Sequence, residues 1–355
     1  MGAALADGGD LAGAQGVTAV FDGHNDTLTR CEPAEFVAGR ADGDIDLPRA
    51  KAGGLGGGIF AIFTDTPGDE PDFPATGPYD IPPADALAHG EALGHAAATA
   101  AKLFTLEAQG AVRVVRGTAD LDRAPAEGRI AAVLHLEGAE AIDPGLANLD
   151  SWYEAGLRSL GPVWSRHNAF GHGVPFRFPG GPDTGPGLTA DGERLVRRCN
   201  ELGIVVDLSH MTEAGFWDVA RISSAPLVAS HSGVHALCAS SRNLTDEQID
   251  AIGTTGGLVG IVFAVGFLRA DGAYDADTPL TAIVEHARYV ADRIGTEHVA
   301  LGSDFDGARI PAALGDVAGL PRLLDALRDG GFTAAEVGRI AWGNWRRVLG
   351  ASFTG

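Results

Sequence analysis

Residues Ile204–His210 read Ile-Val-Val-Asp-Leu-Ser-His, and residues Leu227–Ser232 read Leu-Val-Ala-Ser-His-Ser. In each stretch, a short apolar run is followed by Ser-His. Runs of this length and composition are typical of parallel strands that are covered on both faces. The two stretches therefore predict neighbouring parallel strands that carry His210 and His231 at their carboxyl ends.

The same kind of apolar run recurs six more times along the chain. The further runs are Val17–Phe21, Gly58–Phe63, Ile130–Leu136, Ser159–Val163, Leu258–Phe263 and His298–Leu301. Helical stretches separate most of the runs, among them Pro83–Gln109, Asp191–Leu202 and Thr212–Ile222. From Leu280 to Ile294, apolar residues recur every three or four positions, as on one face of a helix. Alternating strand and helix signals predict a parallel sheet, and eight of them fit a closed (β/α)8 TIM barrel. An open doubly wound sheet is the alternative.

The barrel pattern also predicts how the chain is divided. We expect residues 1–16 to form an N-terminal extension and residues 17–355 to form a single barrel domain. Two stretches, residues 64–82 and 169–187, are rich in Pro and Gly and follow predicted strand ends. Such composition indicates loops, so we expect both stretches to be excursions over the mouth of the barrel.

Composition limits the partners and the compartment. The chain has 26 basic and 47 acidic residues, a formal net charge of −21, which disfavours nucleic acid and anionic membranes as partners. The cysteines are Cys31, Cys199 and Cys238, an odd and scattered set that favours a reducing compartment over a disulfide framework. No signal peptide and no apolar run of membrane-spanning length is visible. We therefore predict a soluble cytoplasmic protein.

Polar residues at the strand ends indicate a metal site, because barrel enzymes carry their active sites at the carboxyl ends of the strands. His24 and Asp26 follow the first run and are two residues apart, so they point the same way on an extended segment. Imidazole nitrogen and carboxylate oxygen are both zinc ligands. Glu137 ends the third run, where a buried carboxylate is costly unless it is paired or bound to metal. The alternative for Glu137 is an ion pair with an arginine across the barrel.

The number of donors indicates two metals. Asp304 follows the eighth run and could ligate a metal or handle protons, whereas Asp306 is better explained as a structural turn cap. With His24, Asp26, Glu137, His210 and His231, the donors are too many for one tetrahedral zinc and suit two ions that share a ligand. Neither Lys51 nor Lys102 follows a predicted strand, so the bridge must be a carboxylate, and Glu137 is the best placed. His135, two residues before Glu137, could support the site or be a core histidine.

The ordered set of motifs resembles the renal (membrane) dipeptidase family. The matching pieces are Asp22–Asp26, Glu137-Gly138, Asp207–His210, Ser230–Ser232, Ser240–Asn243, Asp304–Gly307 and Gly343–Val348, which together span about residues 20 to 350. The resemblance implies an amidohydrolase-like dipeptidase with two Zn²⁺ per subunit, and it hints at a homodimer. One zinc would be held by His24 and Asp26 and the other by His210 and His231, with Glu137 as the bridge.

The resemblance also implies roles in binding and catalysis. Arg242 would hold the C-terminal carboxylate of a dipeptide, a task that suits a planar bidentate guanidinium. Asp304 would bind the free amino group and pass a proton from a metal-bridging hydroxide to the leaving amine. Family members often accept a D-residue at the C-terminal position, so L-Xaa–D-Xaa dipeptides are expected substrates.

The fourth strand departs from the family pattern. Mammalian members place a substrate-binding histidine after this strand, where the present chain has Trp164, and His167 follows three residues later. Trp164 and His167 are therefore both candidate substrate-binding residues. Two other functions stay open: an amidohydrolase-like hydrolase acting on a lactone, an N-acyl amino acid or a cyclic amide, and a metal-binding barrel without activity.

Overall fold

The computed structural model describes residues 18–65 and 73–353. The N-terminal extension predicted for residues 1–16 lies outside the described residues. So do Val17, the first residue of the first predicted run, and residues 66–72 of the first predicted excursion.

The strands of the described ranges follow in chain order. They are β1 Val20–Asn25, β2 Leu55–Phe63, β3 Tyr79–Ile81, β4 Val112–Val114, β5 Ile130–Glu137, β6 Leu157–Gly161, β7 Phe176–Phe178, β8 Val205–Val206, β9 Val228–Ser232, β10 Leu258–Ile261 and β11 Val299–Leu301.

Eight of these strands form a closed ring. The order β1-β2-β5-β6-β8 makes one parallel sheet and β9-β10-β11 makes a second. Two isolated parallel bridges join the sheets: Asp207 pairs with Val228 between β8 and β9, and Asn25 pairs with Phe305 between β1 and the residues after β11. The predicted (β/α)8 barrel is confirmed, and the open doubly wound alternative is wrong.

Helices lie between the barrel strands and cover their outer faces. They are α1 Thr27–Arg30, α2 Pro33–Ala38, α3 Leu47–Gly53, α4 His89–Ala108, α5 Thr118–Ala126, α6 Leu149–Ala155, α7 Ala190–Leu202, α8 Glu213–Ile222, α9 Asp246–Thr254, α10 Leu280–Ile294, α11 Leu320–Asp329, α12 Ala334–Gly338 and α13 Asn344–Ser352. Threonine side chains cap α7, α8 and α9, each by accepting a hydrogen bond from a backbone N–H of the first turn. No helix in these ranges is both long and apolar enough to cross a membrane.

Some boundaries differ from the predicted ones for clear physical reasons. The first strand continues to Asn25 because its polar Asp22 is satisfied inside the protein, where it accepts hydrogen bonds from the backbone N–H and the hydroxyl of Ser303. The helix predicted from Pro83 begins only at His89, because Ala84 forms a parallel bridge with Arg166. Strand β4 was not predicted; it pairs with the beginning of β5.

The two predicted excursions meet as a ribbon. Strand β3 pairs antiparallel with β7, with Tyr79 opposite Phe178 and Ile81 opposite Phe176. Aromatic side chains of this mouth ribbon, defined as β3 and β7, form a buried cluster with Phe267.

The inside of the barrel changes from apolar to polar along the strands. In β5, Ala131 and Val133 belong to an apolar cluster with Trp345, and His135 and Glu137 follow on the same face. All four residues are buried. The apolar cluster fills the amino end of the barrel, so the buried polar side chains collect at its carboxyl end.

Candidate metal centre

The carboxyl ends of the strands bring the predicted metal ligands together. His24 lies in β1, Glu137 ends β5, and His231 lies in β9. His210 follows β8 and Asp26 follows β1. All five side chains are buried, which is costly for such groups unless they bind one another or a cation.

Glu137 lies at the centre of this group. Its Oε1 is 3.5 Å from Nε2 of His24, 3.1 Å from Nε2 of His210 and 3.5 Å from Nε2 of His231. The same Nε2 of His24 also lies 3.7 Å from Oδ2 of Asp26. One carboxylate oxygen therefore faces imidazoles from three strands.

The donor atoms form overlapping groups that could each hold an ion. In one group, Glu137, His210 and His231 offer atoms within 4.8 Å of one another; His24, Asp26 and the half-buried Asp304 do so in a second group, and His24, Asp207 and His231 in a third. The residues fit zinc in chemistry as well as in spacing, because mixed nitrogen and oxygen donors suit this ion.

Unsatisfied polar atoms support the same interpretation. Within the described ranges, both ring nitrogens of His24 and Oδ1 of Asp26 are buried without a hydrogen-bond partner. A buried polar atom left without a partner costs about 1–3 kcal/mol, so native proteins rarely leave one without a reason. Metal coordination would satisfy the atoms of His24 and Asp26 that face Glu137 and Asp304.

Burial shifts the protonation of the cluster. It raises the pKa of Glu137 to about 7 and the pKa of Asp304 to about 6, because the charged forms lose solvation. Burial also holds the pKa values of His210 and His231 well below the usual value, so both rings are neutral, as metal ligands must be. For His24, burial lowers the pKa, but the carboxylates of Glu137 and Asp26 outweigh it and leave the pKa raised.

Two site residues have a backbone conformation that is unusual for their type. His210 has a φ of 66° and Asp304 a φ of 63°, both in the left-handed region. Residues other than glycine seldom adopt this region, and they do so most often at functional sites. Gly307 leaves room for two of the site's carboxylates: a Cβ at this position would overlap Oδ2 of Asp26 and crowd Oδ1 of Asp304.

Serine hydroxyls hold the outer nitrogens of two histidines. Oγ of Ser165 lies 2.9 Å from Nδ1 of His210, and Oγ of Ser230 lies 2.8 Å from Nδ1 of His231. Sequence reasoning missed both contacts. Ser230 could have been suspected because it precedes His231, but Ser165 is 45 residues before His210 and left no local signal.

Arg242 is a buried cation beside the cluster. Its Nη2 donates to the backbone oxygen of His231 at 3.2 Å, and its guanidinium carbon lies 5.5 Å from the centre of the Phe267 ring. Within the described ranges no carboxylate forms an ion pair with Arg242, and its Nε has no hydrogen-bond partner. A buried guanidinium that forms no direct ion pair is suited to receive an anion.

An aromatic cavity of about 220 Å³ opens above the cluster. Its polar lining includes Asp26, Glu137, His210 and Asp304. Aromatic side chains make up much of the remaining wall: Phe63, Phe73, Trp164, Phe176, Phe267 and Tyr274. Sequence reasoning identified Trp164 among these aromatics and missed the others.

The structure separates the two candidates after the fourth barrel strand, β6. Trp164 lines the cavity, with its ring 5.7 Å from the His210 ring and 4.7 Å from the Phe63 ring. His167 is exposed, lies 4.7 Å from the His172 ring and lines two other surface hollows. The structure therefore does not bring His167 to the cluster: Ser165 and Arg166 are still buried, and the chain reaches the surface at His167.

Known proteins resemble this chain over nearly its whole length. The family model described as membrane dipeptidase (Peptidase family M19) matches residues 14–353. A metallo peptidase from Rhodobacter sphaeroides has been crystallised with a phosphinate mimic of the dipeptide L-Ala-D-Ala. Its sequence is 45% identical to this chain, and the match covers 94% of this chain and 99% of that chain with a TM-score of 0.92.

Two further relatives agree with this match. The crystal structure of the dipeptidase AC, a metallo peptidase, is 45% identical over 95% of this chain and 99% of that chain, with a TM-score of 0.90. An uncharacterised protein from Klebsiella pneumoniae is 49% identical over 248 residues, which are 70% of this chain and 92% of that protein.

Proposed function

This chain belongs to the membrane dipeptidase family, and we propose that it is a two-zinc member that hydrolyses dipeptides, including L-Xaa–D-Xaa dipeptides. Membership makes the protein a metallo-dipeptidase, a hydrolase that acts on dipeptides. The single observation that carries the two-zinc proposal is the position of Glu137, whose Oε1 lies between 3.1 and 3.5 Å from three imidazole nitrogens.

The five donors divide into two sets in this proposal. His24 and Asp26 hold one ion, His210 and His231 hold the other, and Glu137 contributes to both. When bound, zinc ions supply an acidified water molecule and polarise the peptide carbonyl. The aromatic wall above the donors limits the access of bulk water, which strengthens each electrostatic interaction inside the cavity.

Two charged residues are suited to grip the ends of a dipeptide. Arg242 is a buried cation without a carboxylate partner in the described ranges, and we assign it to the C-terminal carboxylate of the substrate. Asp304 lines the cavity and is assigned to the free amino group. Gripping both ends restricts the substrate to dipeptide length, and the L-Ala-D-Ala mimic bound by the Rhodobacter sphaeroides relative supports a D-residue at the C-terminal position.

Asp304 is also suited to move a proton. Burial raises its pKa to about 6. A group with such a pKa can accept a proton from the attacking water and donate it to the leaving nitrogen. Trp164 and the other aromatics pack against the substrate side chains and exclude water from the reacting bond.

The test combines a metal count with a substrate panel. Wild-type protein prepared with zinc should hold two ions per chain and should hydrolyse L-Xaa–L-Xaa and L-Xaa–D-Xaa dipeptides. Glu137→Gln removes the shared negative charge, so the variant should hold at most one ion and lose activity by at least about a hundredfold, a loss of about 3 kcal/mol in transition-state stabilisation.

A matched control is Glu140→Gln, which changes a buried glutamate that does not face the cluster and lies 3.6 Å from Arg166. This variant should keep both ions. Two ions and full activity in Glu137→Gln would remove the basis of the proposal.

We propose one barrel domain from residue 17 to 355, a cytoplasmic location, and assembly as a homodimer.

A further inference from the structure

One buried carboxylate at the carboxyl end of the barrel has no part in the proposed reaction. Asp207 follows β8, and its side chain accepts three hydrogen bonds. Its Oδ1 accepts from the backbone N–H groups of Ser209 at 3.1 Å and Ser230 at 2.8 Å, and its Oδ2 accepts from Oγ of Ser230 at 2.5 Å. The carboxylate is therefore held in one orientation by two strands.

The Ser230 hydroxyl connects this carboxylate to a proposed metal ligand. Its Oγ lies 2.8 Å from Nδ1 of His231. An ionised carboxylate can only accept hydrogen bonds, so the hydroxyl proton of Ser230 must point towards Asp207. The hydroxyl oxygen is then free only to accept, and Nδ1 of His231 must carry a proton to donate to it.

The proton on Nδ1 determines the protonation of the other ring nitrogen, Nε2. A neutral imidazole with a proton on Nδ1 has a lone pair on Nε2. Nε2 of His231 lies 3.5 Å from Oε1 of Glu137, within the group of donors that could hold an ion. A partner on one ring nitrogen commonly sets which nitrogen of a histidine binds metal.

We propose that Asp207 is a positioning residue that acts through Ser230 to fix the Nδ1-protonated tautomer of His231, with the Nε2 lone pair directed at the metal position. The link to metal rests on the two-zinc function proposed above; the tautomer of His231 does not.

His210 provides an internal comparison. Its Nδ1 also contacts a serine hydroxyl, Oγ of Ser165 at 2.9 Å, but no carboxylate hydrogen-bonds to this serine in the described part of the chain. The hydroxyl of Ser165 can therefore turn to donate or to accept. The tautomer of His210 is not imposed by a carboxylate, and the two histidines differ in how firmly they are prepared for metal.

The substitution Asp207→Asn gives a sharp prediction. The two backbone N–H groups that now bond to Oδ1 would hold the amide oxygen of asparagine at that position. The amide NH₂ group would then face Ser230 and donate to its hydroxyl oxygen, so the hydroxyl proton would turn to Nδ1 of His231. The proton of the imidazole would move to Nε2, where it blocks the metal ligand.

The first readout is the tautomer itself, measured on metal-free protein labelled with ¹⁵N-histidine. Long-range ¹H–¹⁵N correlation spectra distinguish the two tautomers by the shifts of the ring nitrogens, and the His231 signals are assigned by their loss in His231→Asn. Wild-type protein should show protonated Nδ1 and Asp207→Asn protonated Nε2. Ser230→Ala keeps the backbone contacts of Asp207 and removes only the relay, which is the hydroxyl that connects Asp207 to His231. This variant should therefore show a mixture of the two His231 tautomers.

The second readout is zinc affinity, measured by competition with a chromophoric chelator. Loss of an outer partner of a metal ligand typically weakens metal binding 10- to 100-fold. Ser230→Ala should fall within this range for one of the two ions, and Asp207→Asn should bind that ion more weakly still. Ser165→Ala, the matched control, should weaken binding less than Ser230→Ala does.

Each outcome decides between the relay and a structural role. The same His231 tautomer in wild type and Asp207→Asn would overturn the proposal, as would a mixture of tautomers in the wild type. So would equal zinc affinities of Asp207→Asn and Ser165→Ala in variants whose metal-free thermal transitions match. If Asp207→Asn does not fold, wild type and Ser230→Ala suffice: the relay requires one tautomer in the first and a mixture in the second.

The experiment also separates this inference from the proposed function. Wild type that binds no zinc but shows protonated Nδ1 on His231 would refute the two-zinc site and leave the relay intact. Wild type that instead binds two ions but shows protonated Nε2 on His231 when metal-free would support the two-zinc site and refute the relay.

Discussion

Arg242 carries a buried charge that forms no ion pair within the described residues, although the carboxylates of Asp304, Glu137 and Asp207 lie near enough to favour that charge. Burial lowers the pKa of its guanidinium, and its nearest polar contact is the backbone oxygen of His231. Isolating a charge from water costs several kcal/mol unless an opposite charge compensates. Binding of an anion would therefore stabilise the buried guanidinium, and a dipeptide substrate supplies such an anion in its C-terminal carboxylate.

We predict that Arg242→Lys lowers kcat/KM for dipeptides by roughly 10- to 100-fold, mainly through KM. Lysine keeps the charge but loses the planar pair of donors that matches a carboxylate. The check uses each dipeptide and its C-terminal amide as a pair. If Arg242 binds the carboxylate, the variant and the wild type should differ much less on the amide than on the acid. An equal loss on both substrates would contradict this role.

Single residues also show what local sequence can predict. His24, Glu137 and His231 were identified because each lies at the end of an apolar run, and in a barrel such ends converge. The sequence does not identify Ser165 and Phe73, because their contacts depend on the paths of loops, and no periodic sequence pattern predicts those paths. For the same reason the sequence could not choose between Trp164 and His167.

At the scale of elements, α10 is attached to the barrel by a buried histidine. His286 lies on this helix; its Nε2 donates to the backbone oxygen of Leu268 at 3.1 Å, and its Nδ1 accepts from the backbone N–H of Val234 at 2.9 Å. Both partners lie in segments that follow barrel strands, so one neutral ring ties two loops to one helix. Burial lowers the pKa of His286 to about 4.

This histidine makes stability depend on pH in a defined window. The folded pKa of about 4 lies below the unfolded value of about 6.5, so between these pH values the unfolded chain binds more protons. The stabilisation is complete above pH of about 6.5 and is lost as the pH falls towards 4, by up to about 3 kcal/mol.

We predict that His286→Gln, which keeps a donor and an acceptor but does not titrate, reduces this loss. Between pH 7 and pH 4.5, the free energy of unfolding from urea titrations should fall by about 2 kcal/mol less in the variant than in the wild type. Parallel pH profiles for the two proteins would show that the pKa of His286 does not differ between the folded and the unfolded state.

The last three strands depend on glycine for their close approach. A Cβ on Gly260 of β10 would overlap the backbone oxygen of Ser230 in β9, and so would a Cβ on Gly302, just after β11. The obstacle is backbone and cannot rotate away. Because Ser230 precedes His231, any displacement of this oxygen also displaces a proposed metal ligand.

We predict that Gly260→Ala destabilises the protein by about 1–3 kcal/mol and weakens zinc binding. The control is Gly90→Ala on α4, where a Cβ would have no atom within 4 Å. Since alanine is the better helix former, the control should stay within about 1 kcal/mol of wild type and bind zinc normally. Urea titrations and chelator competition measure the two effects. Unchanged zinc affinity in Gly260→Ala would mean that β9 can shift without moving His231.

The elements themselves were largely predictable, and their partners were less so. The eight predicted runs correspond to the eight barrel strands, because a strand covered on both faces must be apolar over several residues. The pairing of β3 with β7 joins stretches about 100 residues apart and has no local signature. Strand β8 covers only Val205–Val206 although its run is longer, because the next residues leave the regular ladder to position Asp207 and His210.

At the scale of the whole molecule, four of the five proposed metal ligands lie at the two seams of the barrel. We define the seams as the isolated bridges between the two sheets, Asn25 with Phe305 and Asp207 with Val228. His24 and Asp26 flank the first seam, with the proposed proton carrier Asp304 beside them, and His210 and His231 flank the second. By contrast, β2 and β5 pair over seven residues. The ligands therefore cluster where backbone pairing is sparsest.

Each seam also carries one buried carboxylate that ties the two sheets together. Asp22 accepts from the N–H and hydroxyl of Ser303 at the first seam, and Asp207 accepts from the N–H and hydroxyl of Ser230 at the second. Glu137, near the middle of the larger sheet, faces ligands of both seams. Metal bound to this set would link both seams to a common centre and stabilise the closed ring.

We therefore predict that removing zinc loosens the seams first. A ligand that binds only the folded state at 100 times its Kd contributes about 2.7 kcal/mol per site, so chelation should lower the Tm by several degrees. Amide hydrogen exchange should accelerate most at the backbone N–H groups of Asp26, Leu208 and Ser230, which donate across or beside the seams. Exchange in β2 and β5 should change little, because their ladder does not depend on the ligands.

Glu137→Gln, which should hold at most one ion, provides the control: without any chelator, exchange should accelerate at each seam that has lost its ion. Rates that rise equally in β2, β5 and the seams would indicate that metal stabilises the barrel only globally. Rates that do not rise at all would show that the closed ring forms without the ion. Selective loosening at both seams is expected only if the centre joins the two sheets, because ligands confined to one seam could protect only that one.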